Sequence, residues 1–389
     1  MLEGIVTWAE IDLDAIAFNV RAFKRHVGER VEILAVVKAN AYGHGAIPVA
    51  RAALEAGATR LAVHRAIEGV ELRHAGITAP VLVMGYTPPS GAAMVVRYGL
   101  TPSLITREFA EAVSGEAMRA GRVVPVHVKV DSGMSRYGLM PEEVVDFVRA
   151  LSALPGLKLE GLFTHFATAD AADQTHTRQQ LAAFLDVTRA VELAGIYIPM
   201  RHAANSAAML QLPEAHLDAV RPGIAMYGLE PSDEWLPPFE IRPALVLKSR
   251  VSRVCVLPPG AGISYGRTFI TDREMPVALV PVGYGDGYHR RLSNKGRVLI
   301  HGKPAPIRGR VCMDQFVVDI TGIEGVRQDD EVVIIGRQGE AEIRAEDVAK
   351  LAGTINYEVT TSLLPRVVRV YRRGEQAASV AGLGQAQRR

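Results

Sequence analysis

Cysteine is almost absent: the 389 residues hold only Cys255 and Cys312. Two cysteines this far apart, without ligand spacing, exclude a disulfide framework and give no zinc site. An excess of charge is missing too. With 44 Lys and Arg against 42 Asp and Glu, the formal net charge is +2. No global basic field draws in nucleic acid or an anionic membrane. No run of about 18 apolar residues marks a membrane span. The N-terminus, Met1-Leu2-Glu3-Gly4-Ile5-Val6-Thr7-Trp8-Ala9-Glu10, lacks a basic region followed by a long apolar core. No export signal is read, and the expected compartment is the cytoplasm. What remains is 48% hydrophobic and 22% charged, an ordinary globular composition with length for two or three domains.

One stretch organises the chain: Ala35-Val36-Val37-Lys38-Ala39-Asn40-Ala41-Tyr42-Gly43-His44-Gly45. The apolar run Ile33 to Val37 ends on a lysine, and a tyrosine, glycines and a histidine follow. A lysine at the end of a buried strand has a desolvated amine. Desolvation lowers its pKa, as a Schiff-base lysine requires. The competing reading is a strand-end lysine that snorkels to solvent.

Residues 4–13 read as a strand, and Asp12 or Asp14 caps a helix through Phe23. Short apolar runs then recur at 32–37, 60–64, 80–85, 99–105, 124–130, 158–164, 196–201 and 218–221. Helical stretches separate most of them, among them Val49–Ala56, Ala66–Ala75, Arg107–Ala120, Pro141–Leu154 and Thr177–Ala194. Gly57, Gly76, Gly99, Gly121, Gly156 and Gly195 sit where helices should stop. Alternation of strand and helix predicts parallel βαβ units. Eight runs fit a closed (β/α)8 barrel better than an open sheet. Polar residues gather at the C-terminal strand ends, where barrel sites form: Lys38; His64 and Arg65; Lys129, Asp131, Arg136 and Tyr137; His165; His202, Asn205 and Ser206; Arg221, Gly223 and Ile224. One such residue is commonly structural, but six strand ends carrying them argue for a site.

After about residue 242 the helical period gives way to β-rich runs: Leu245–Leu257, Val277–Val282, Val298–Ile300, Val311–Ile320, Glu331–Ile335 and Glu358–Val370, with a helical piece at Ala345–Ala352. The expected organisation is a barrel over 12–240 and a mostly-β domain over 1–11 and 241–373 that takes the N-terminal strand. A disordered tail is expected over 374–389. In the second domain, Gly283-Tyr284-Gly285-Asp286-Gly287-Tyr288 reads as a tight turn; no βαβ unit follows it, so a dinucleotide site is rejected. Ile263-Ser264-Tyr265-Gly266-Arg267-Thr268-Phe269 is a second glycine-flanked tyrosine loop, and Cys312-Met313-Asp314-Gln315 interrupts a β pattern.

Together these segments resemble the alanine racemases. The carriers are the Lys38 stretch, Asp131-Ser132-Gly133-Met134-Ser135-Arg136-Tyr137-Gly138, His202-Ala203-Ala204-Asn205-Ser206 and Arg221-Pro222-Gly223-Ile224-Ala225-Met226-Tyr227-Gly228. Further on come Ser264-Tyr265-Gly266-Arg267, Gly283-Tyr284-Gly285-Asp286-Gly287 and Arg310-Val311-Cys312-Met313-Asp314. The resemblance runs in order from about residue 5 to about residue 372. The Lys38 stretch is shared with other barrel enzymes that use pyridoxal phosphate, whereas the later loops are specific to racemases.

The resemblance implies a homodimeric, cytoplasmic isomerase that interconverts L- and D-alanine and supplies D-alanine for cell-wall peptidoglycan. Pyridoxal 5'-phosphate would form a Schiff base on Lys38. Lys38 and Tyr265, the tyrosine coming from the partner subunit, would act on opposite faces of the substrate. Phenolate at Tyr265 needs a supporting neighbour, for which His202 is the candidate. Arg221 would face the ring nitrogen as a donor and leave it unprotonated. Tyr42, Ser206, Gly223, Ile224 and Tyr357 would hold the phosphate, and His165 would lie beside the ring. Arg136 and the Met313 amide would take the substrate carboxylate. Tyr284 would narrow the entrance, with Cys312 and Asp314 in support. Lys129 would be carbamylated and so orient Arg136; the plain alternative is a lysine paired with an acid. Other functions weighed are a non-catalytic pyridoxal-phosphate-binding barrel, a barrel decarboxylase for basic amino acids, and a racemase of another amino acid. The β-domain loops argue against the first two.

Overall fold

The computed structural model describes residues 3–374 and 376–381. The chain divides into two compact units. One gathers the chain through Ala15, the segment Tyr42–Gly45 and the chain from Pro243; the other comprises Ile16–Ala41 and Ala46–Arg242. Tyr42–Gly45, read in sequence as part of the barrel, belongs with the first unit.

Strand β1 (Thr7–Asp12) opens the chain. Asp12 Oδ1 then accepts the N–H groups of Asp14 and Ala15 at 2.8 and 2.9 Å, which makes Asp12 the cap of the Leu13–Val27 helix. Ile16, Val20 and Phe23 recur at helical spacing and are fully buried.

The second unit is a closed barrel. Its strands are β2 (Glu32–Val36), β3 (Arg60–Val63), β4 (Val81–Val83), β5 (Thr101–Leu104), β6 (Val124–Lys129), β7 (Leu157–Phe163), β8 (Met200–His202) and β9 (Ala219–Val220). They pair in chain order, and β9 returns to β2 in parallel. The runs that alternate with helices in the sequence are these eight strands. Ile33, Leu34 and Ala35 are fully buried, as expected of parallel strands covered on both faces. The six glycines expected to end helices all have positive φ.

The first unit is mostly β. Its further strands are β10 (Leu245–Arg250), β11 (Arg253–Leu257), β12 (Gly262–Ile263), β13 (Phe269–Ile270), β14 (Met275–Val280), β15 (Arg297–Ile300), β16 (Lys303–Arg308), β17 (Phe316–Asp319), β18 (Glu331–Gln338), β19 (Ala341–Ile343), β20 (Val368–Arg373) and β21 (Gln376–Ala381). The large sheet runs β11-β14-β17-β16-β15-β18-β10-β1-β20-β21, so the N-terminal strand lies within it, antiparallel to β10 and parallel to β20.

Four expectations are corrected here. Glu358–Thr361 belongs to the helix Asn356–Thr361, not to a β run: burial of Val359 and Thr360 overrides the β preference of a Val-Thr-Thr sequence. Of Val311–Ile320 only β17 is strand. Cys312 N–H bonds to the Gln315 carbonyl at 2.9 Å and turns the chain before it. Strand β16 escapes the pattern because it carries Pro304 and Pro306, while its pairing to β17 is confined to Ile307 and Arg308 beyond them. Within the expected tail, Gln376–Ala381 pair antiparallel to β20 through a turn at Gly374; the rest of that expectation, at 375 and 382–389, lies outside the described residues.

Candidate active site

The barrel unit carries a cluster of cations at the C-terminal ends of its strands. Lys38 follows β2, and the next three residues, Ala39, Asn40 and Ala41, have φ of 52°, 53° and 54°. With Tyr42 at 53°, four successive non-glycine residues lie in the left-handed region; they are strained, and such strain concentrates at functional positions. Burial, and then the Arg136 charge, lower the Lys38 pKa from its ordinary value. A lowered pKa increases the neutral amine that a Schiff base needs.

Lys129 ends β6 and is 7% exposed. Its Nζ lies 5.2 Å from the Tyr137 ring centre and 5.8 Å from that of Phe163. Burial, then the charges of Arg221 and Arg136, bring its pKa down to about 8. Asp131, two residues on, is no ion-pair partner. Its carboxylate takes the backbone N–H groups of Gly133, Ser135 and Arg136 at 2.9–3.0 Å. The acid expected to pair with a plain Lys129 is not found among the described residues.

Arg221 follows β9 and is 3% exposed. Its guanidinium donates to His202 Nδ1 at 2.7 Å, to the Thr164 and Ala203 carbonyls at 2.7 and 2.9 Å, and to His165 Nδ1 at 3.3 Å. All four partners accept through neutral atoms, and burial lowers the Arg221 pKa to about 9. Its Nε–H has no acceptor among the described residues. His202 stacks on Phe163, with ring centres 4.8 Å apart and planes 2° from parallel. Burial, then Arg221, hold the pKa of both His165 and His202 well below the ordinary value.

Ser206 opens the helix Ser206–Gln211. Its Oγ accepts the N–H groups of Gly223 and Ala225 at 2.8 and 3.3 Å, and its own proton has no acceptor among the described residues. Ile224 begins the 3-10 turn that follows Gly223. Arg136 is exposed and forms no ion pair among the described residues. These groups fit the expected cofactor: a serine hydroxyl with an unclaimed proton for phosphate, an unclaimed guanidinium N–H for a ring nitrogen, and a desolvated amine for a carbonyl.

The β unit carries the remaining expected residues. Tyr42 is buried, and its ring centre lies 6.1 Å from that of Tyr357. The Gly283–Gly287 turn wraps the Cys312–Asp314 loop: Tyr284 N–H donates to the Cys312 carbonyl at 3.1 Å and Gly285 N–H to the Met313 carbonyl at 2.8 Å. A Cβ on Gly283 would sit 2.2 Å from the Cys312 oxygen, so only glycine permits this approach. Ser264, at φ 62°, donates to the Arg310 carbonyl at 2.7 Å and meets Cys312 Sγ at 3.2 Å. Tyr265 is 73% exposed, and its hydroxyl has no partner among the described residues.

Several participants escaped the sequence reading. Arg366 bridges the two loops, bonding Asp286 through Nε and Nη2 at 2.6 and 2.9 Å and Asp314 through Nη1 at 2.8 Å. Glu68 binds the Ala39 N–H. His127 and Glu160 extend the Arg221 network across the barrel. Arg366 lies in a turn and the others in ordinary-looking strands or a helix; only the three-dimensional partners give each a role.

Known proteins resemble this chain over most of its length. The model of the alanine racemase N-terminal domain matches residues 11–231, and that of the alanine racemase C-terminal domain matches residues 244–371. The alanine racemase of Halothermothrix orenii is 47% identical over 366 residues, covering 94% of this chain and 97% of its own. The crystal structure of alanine racemase from Bacillus anthracis, with bound L-Ala-P, is 42% identical with a TM-score of 0.92 and covers 97% of each chain. A histidine racemase from Leuconostoc mesenteroides is 29% identical with a TM-score of 0.87, covering 94% of this chain and 98% of its own. The chain belongs to the alanine racemase family, a family of pyridoxal-phosphate-dependent isomerases.

Proposed function

We propose that this protein interconverts L- and D-alanine, with Lys38 serving one face of the substrate's α-carbon and Tyr265 of the partner subunit the other. The product D-alanine would enter cell-wall peptidoglycan, the protein would act as a homodimer, and its compartment would be the cytoplasm. Among the described residues no helix is long and apolar enough to cross a membrane.

Pyridoxal phosphate, when bound, acidifies the α-proton of an attached amino acid by drawing electron density into its ring. The rest of the task falls to side chains. Lys38 would hold the cofactor and would accept or return the α-proton of D-alanine. Tyr265 does the same for L-alanine. Each turnover removes a proton on one face and delivers one on the other, so the two groups exchange protonation states. Arg221 donates toward the ring nitrogen and, as an arginine, does not readily give up its proton. Ser206, Gly223, Ile224, Tyr42 and Tyr357 bind the phosphate, and His165 flanks the ring. Arg136 and the Met313 N–H take the substrate carboxylate, and His202 supports Arg221. Tyr284 lines the entrance, with Cys312 and Asp314 holding its loop. Lys129, as a carbamate, orients Arg136.

One observation carries the reading. The barrel supplies a desolvated lysine, while the tyrosine that would complete an acid/base pair projects from its own loop with an unclaimed hydroxyl. The test is exchange of the alanine α-proton with deuterated water. The holoenzyme should exchange it and form the opposite enantiomer, and Lys38→Ala should abolish both. Absence of exchange in the wild-type enzyme would overturn the proposal.

A further inference from the structure

Among the described residues Arg221 has no anionic neighbour, yet its hydrogen bonds lead to one. His202 Nδ1, which faces the Arg221 Nη1 at 2.7 Å, must accept because a guanidinium only donates. A neutral His202 therefore carries its proton on Nε2. That nitrogen lies 2.8 Å from His127 Nδ1, which must accept in turn. His127 then carries its own proton on Nε2, 3.2 Å from Glu160 Oε2. A carboxylate only accepts, so the far end demands the same direction as the near end. The chain Arg221, His202, His127, Glu160 has one consistent proton arrangement.

The barrel is shaped around this chain. A bulge between Val126 and His127 interrupts the β6–β7 pairing, and His127 faces Gly161. A Cβ at Gly161 would stand 2.6 Å from the His127 ring, so the glycine provides the space for the imidazole. Both histidines are essentially fully buried, and burial lowers the pKa of each. Glu160 is anchored from the other side. Arg60 donates to the same Oε2 at 2.9 Å and to Glu32 Oε2 at 2.9 Å. Burial alone would raise the Glu160 pKa; donation from His127 and the Arg60 charge outweigh it and hold it at about 2.

We propose that Glu160 is a positioning residue for Arg221, acting through His127 and His202. It fixes both imidazoles as Nε2–H tautomers and supplies, across them, the negative charge that orients the buried guanidinium. The role in turnover rests on the reading that Arg221 serves the ring nitrogen; the tautomers do not.

The test uses the full-length holoenzyme labelled with 15N-histidine, at neutral pH. Long-range proton–nitrogen spectra should show His127 and His202 both protonated at Nε2 and bare at Nδ1. An Nδ1–H tautomer or an imidazolium at either residue would overturn the proposal, and this measurement needs no variant. Glu160→Gln keeps a carbonyl acceptor but removes the charge, so the Nε2 protons of both histidines should move upfield. Arg60→Gln removes the competing donor on the same oxygen, so both should move downfield. His202 bonds neither residue 60 nor residue 160; opposite shifts there report the relay, whereas equal signs or no shift would exclude it. In the holoenzyme, Glu160→Gln should lower kcat about tenfold and leave KM for alanine within about twofold, the effect of one weakened charge-assisted hydrogen bond at Arg221. Unchanged kcat would refute the positioning role. A wild-type enzyme inert toward alanine would instead overturn the racemase reading and leave the tautomer result standing.

Discussion

Glu68 accepts the backbone N–H of Ala39 at 2.6 Å, one residue past Lys38. Its other carboxylate oxygen takes the N–H groups of His64 and Arg65 at 2.8 Å each. One side chain thus ties the end of β2 to the start of the Ala66–His74 helix. The tie acts on strained backbone: left-handed geometry costs a non-glycine residue roughly 1–2 kcal/mol. Glu68→Ala removes the acceptor for three N–H groups and should destabilise the protein by about 1–3 kcal/mol. Glu68→Gln, with one carbonyl acceptor left, should fall between. Urea unfolding measures both, and an unchanged midpoint in Glu68→Ala would show that the turn holds its shape unaided.

Lys129 gives a pH-dependent prediction. Carbon dioxide reacts with the neutral amine, which becomes the major form above a pKa of about 8. Protein equilibrated with 13C-bicarbonate should show a carbamate carbon signal that grows as pH rises through that value and is missing in Lys129→Ala. An enzyme free of carbon dioxide makes the linkage visible. The folded pKa of about 8 lies below the ordinary 10.5, so between these values the unfolded chain binds more protons. Stability should therefore rise with pH across that window, and the rise should vanish in Lys129→Met. A carbamate signal unaffected by Lys129→Ala would assign the modification elsewhere.

The parts of this protein that were legible in sequence are those where chemistry and local pattern coincide. Lys38 closes an apolar run and is followed by turn residues, so strand, site and lysine are adjacent in the chain. Eight apolar runs separated by helices imply barrel closure without any long-range information. Strand β16 hides behind Pro304 and Pro306, whose missing N–H groups argue against a strand that survives because its β17 pairing begins beyond them. The helix Asn356–Thr361 is written in β-branched residues and decided by burial. The relay is invisible for a different reason. Arg60, His127, Glu160 and His202 lie on four strands, and only closure of the barrel aligns their nitrogens and oxygens.

Arg366 holds Asp286 through two hydrogen bonds and Asp314 through a third. Asp286 is 6% exposed and also accepts the Gly283 N–H at 2.8 Å, so its buried carboxylate has the guanidinium as its ion-pair partner. Arg366→Ala leaves that charge unpaired and should destabilise the β unit by about 1–3 kcal/mol. It should also raise KM for alanine, because the Met313 amide sits on the loop that Arg366 fastens. Arg366→Lys keeps the charge but not the paired geometry, and should recover only part of each loss. Full recovery by lysine would reduce the contact to simple charge neutralisation.

Tyr265 and Lys38 provide a test of whether sites are shared between chains. A homodimer with self-contained sites gains nothing when two inactive variants are mixed. Lys38→Ala lacks the lysine and Tyr265→Phe lacks the phenol, so each homodimer should be crippled. If each site takes its lysine from one chain and its tyrosine from the other, a mixed dimer has one doubly defective site and one intact site. Random reassortment at equal ratio places half the dimers in the mixed form. Activity should then recover to about one quarter of wild type per chain pair, the arithmetic of symmetric exchange in a twofold dimer. The same Tyr265→Phe enzyme, assayed in each direction in deuterated water, should lose abstraction from L-alanine more than from D-alanine, because only the L face depends on the phenol. No recovery on mixing after verified exchange, together with equal loss in both directions, would remove Tyr265 from the acid/base pair.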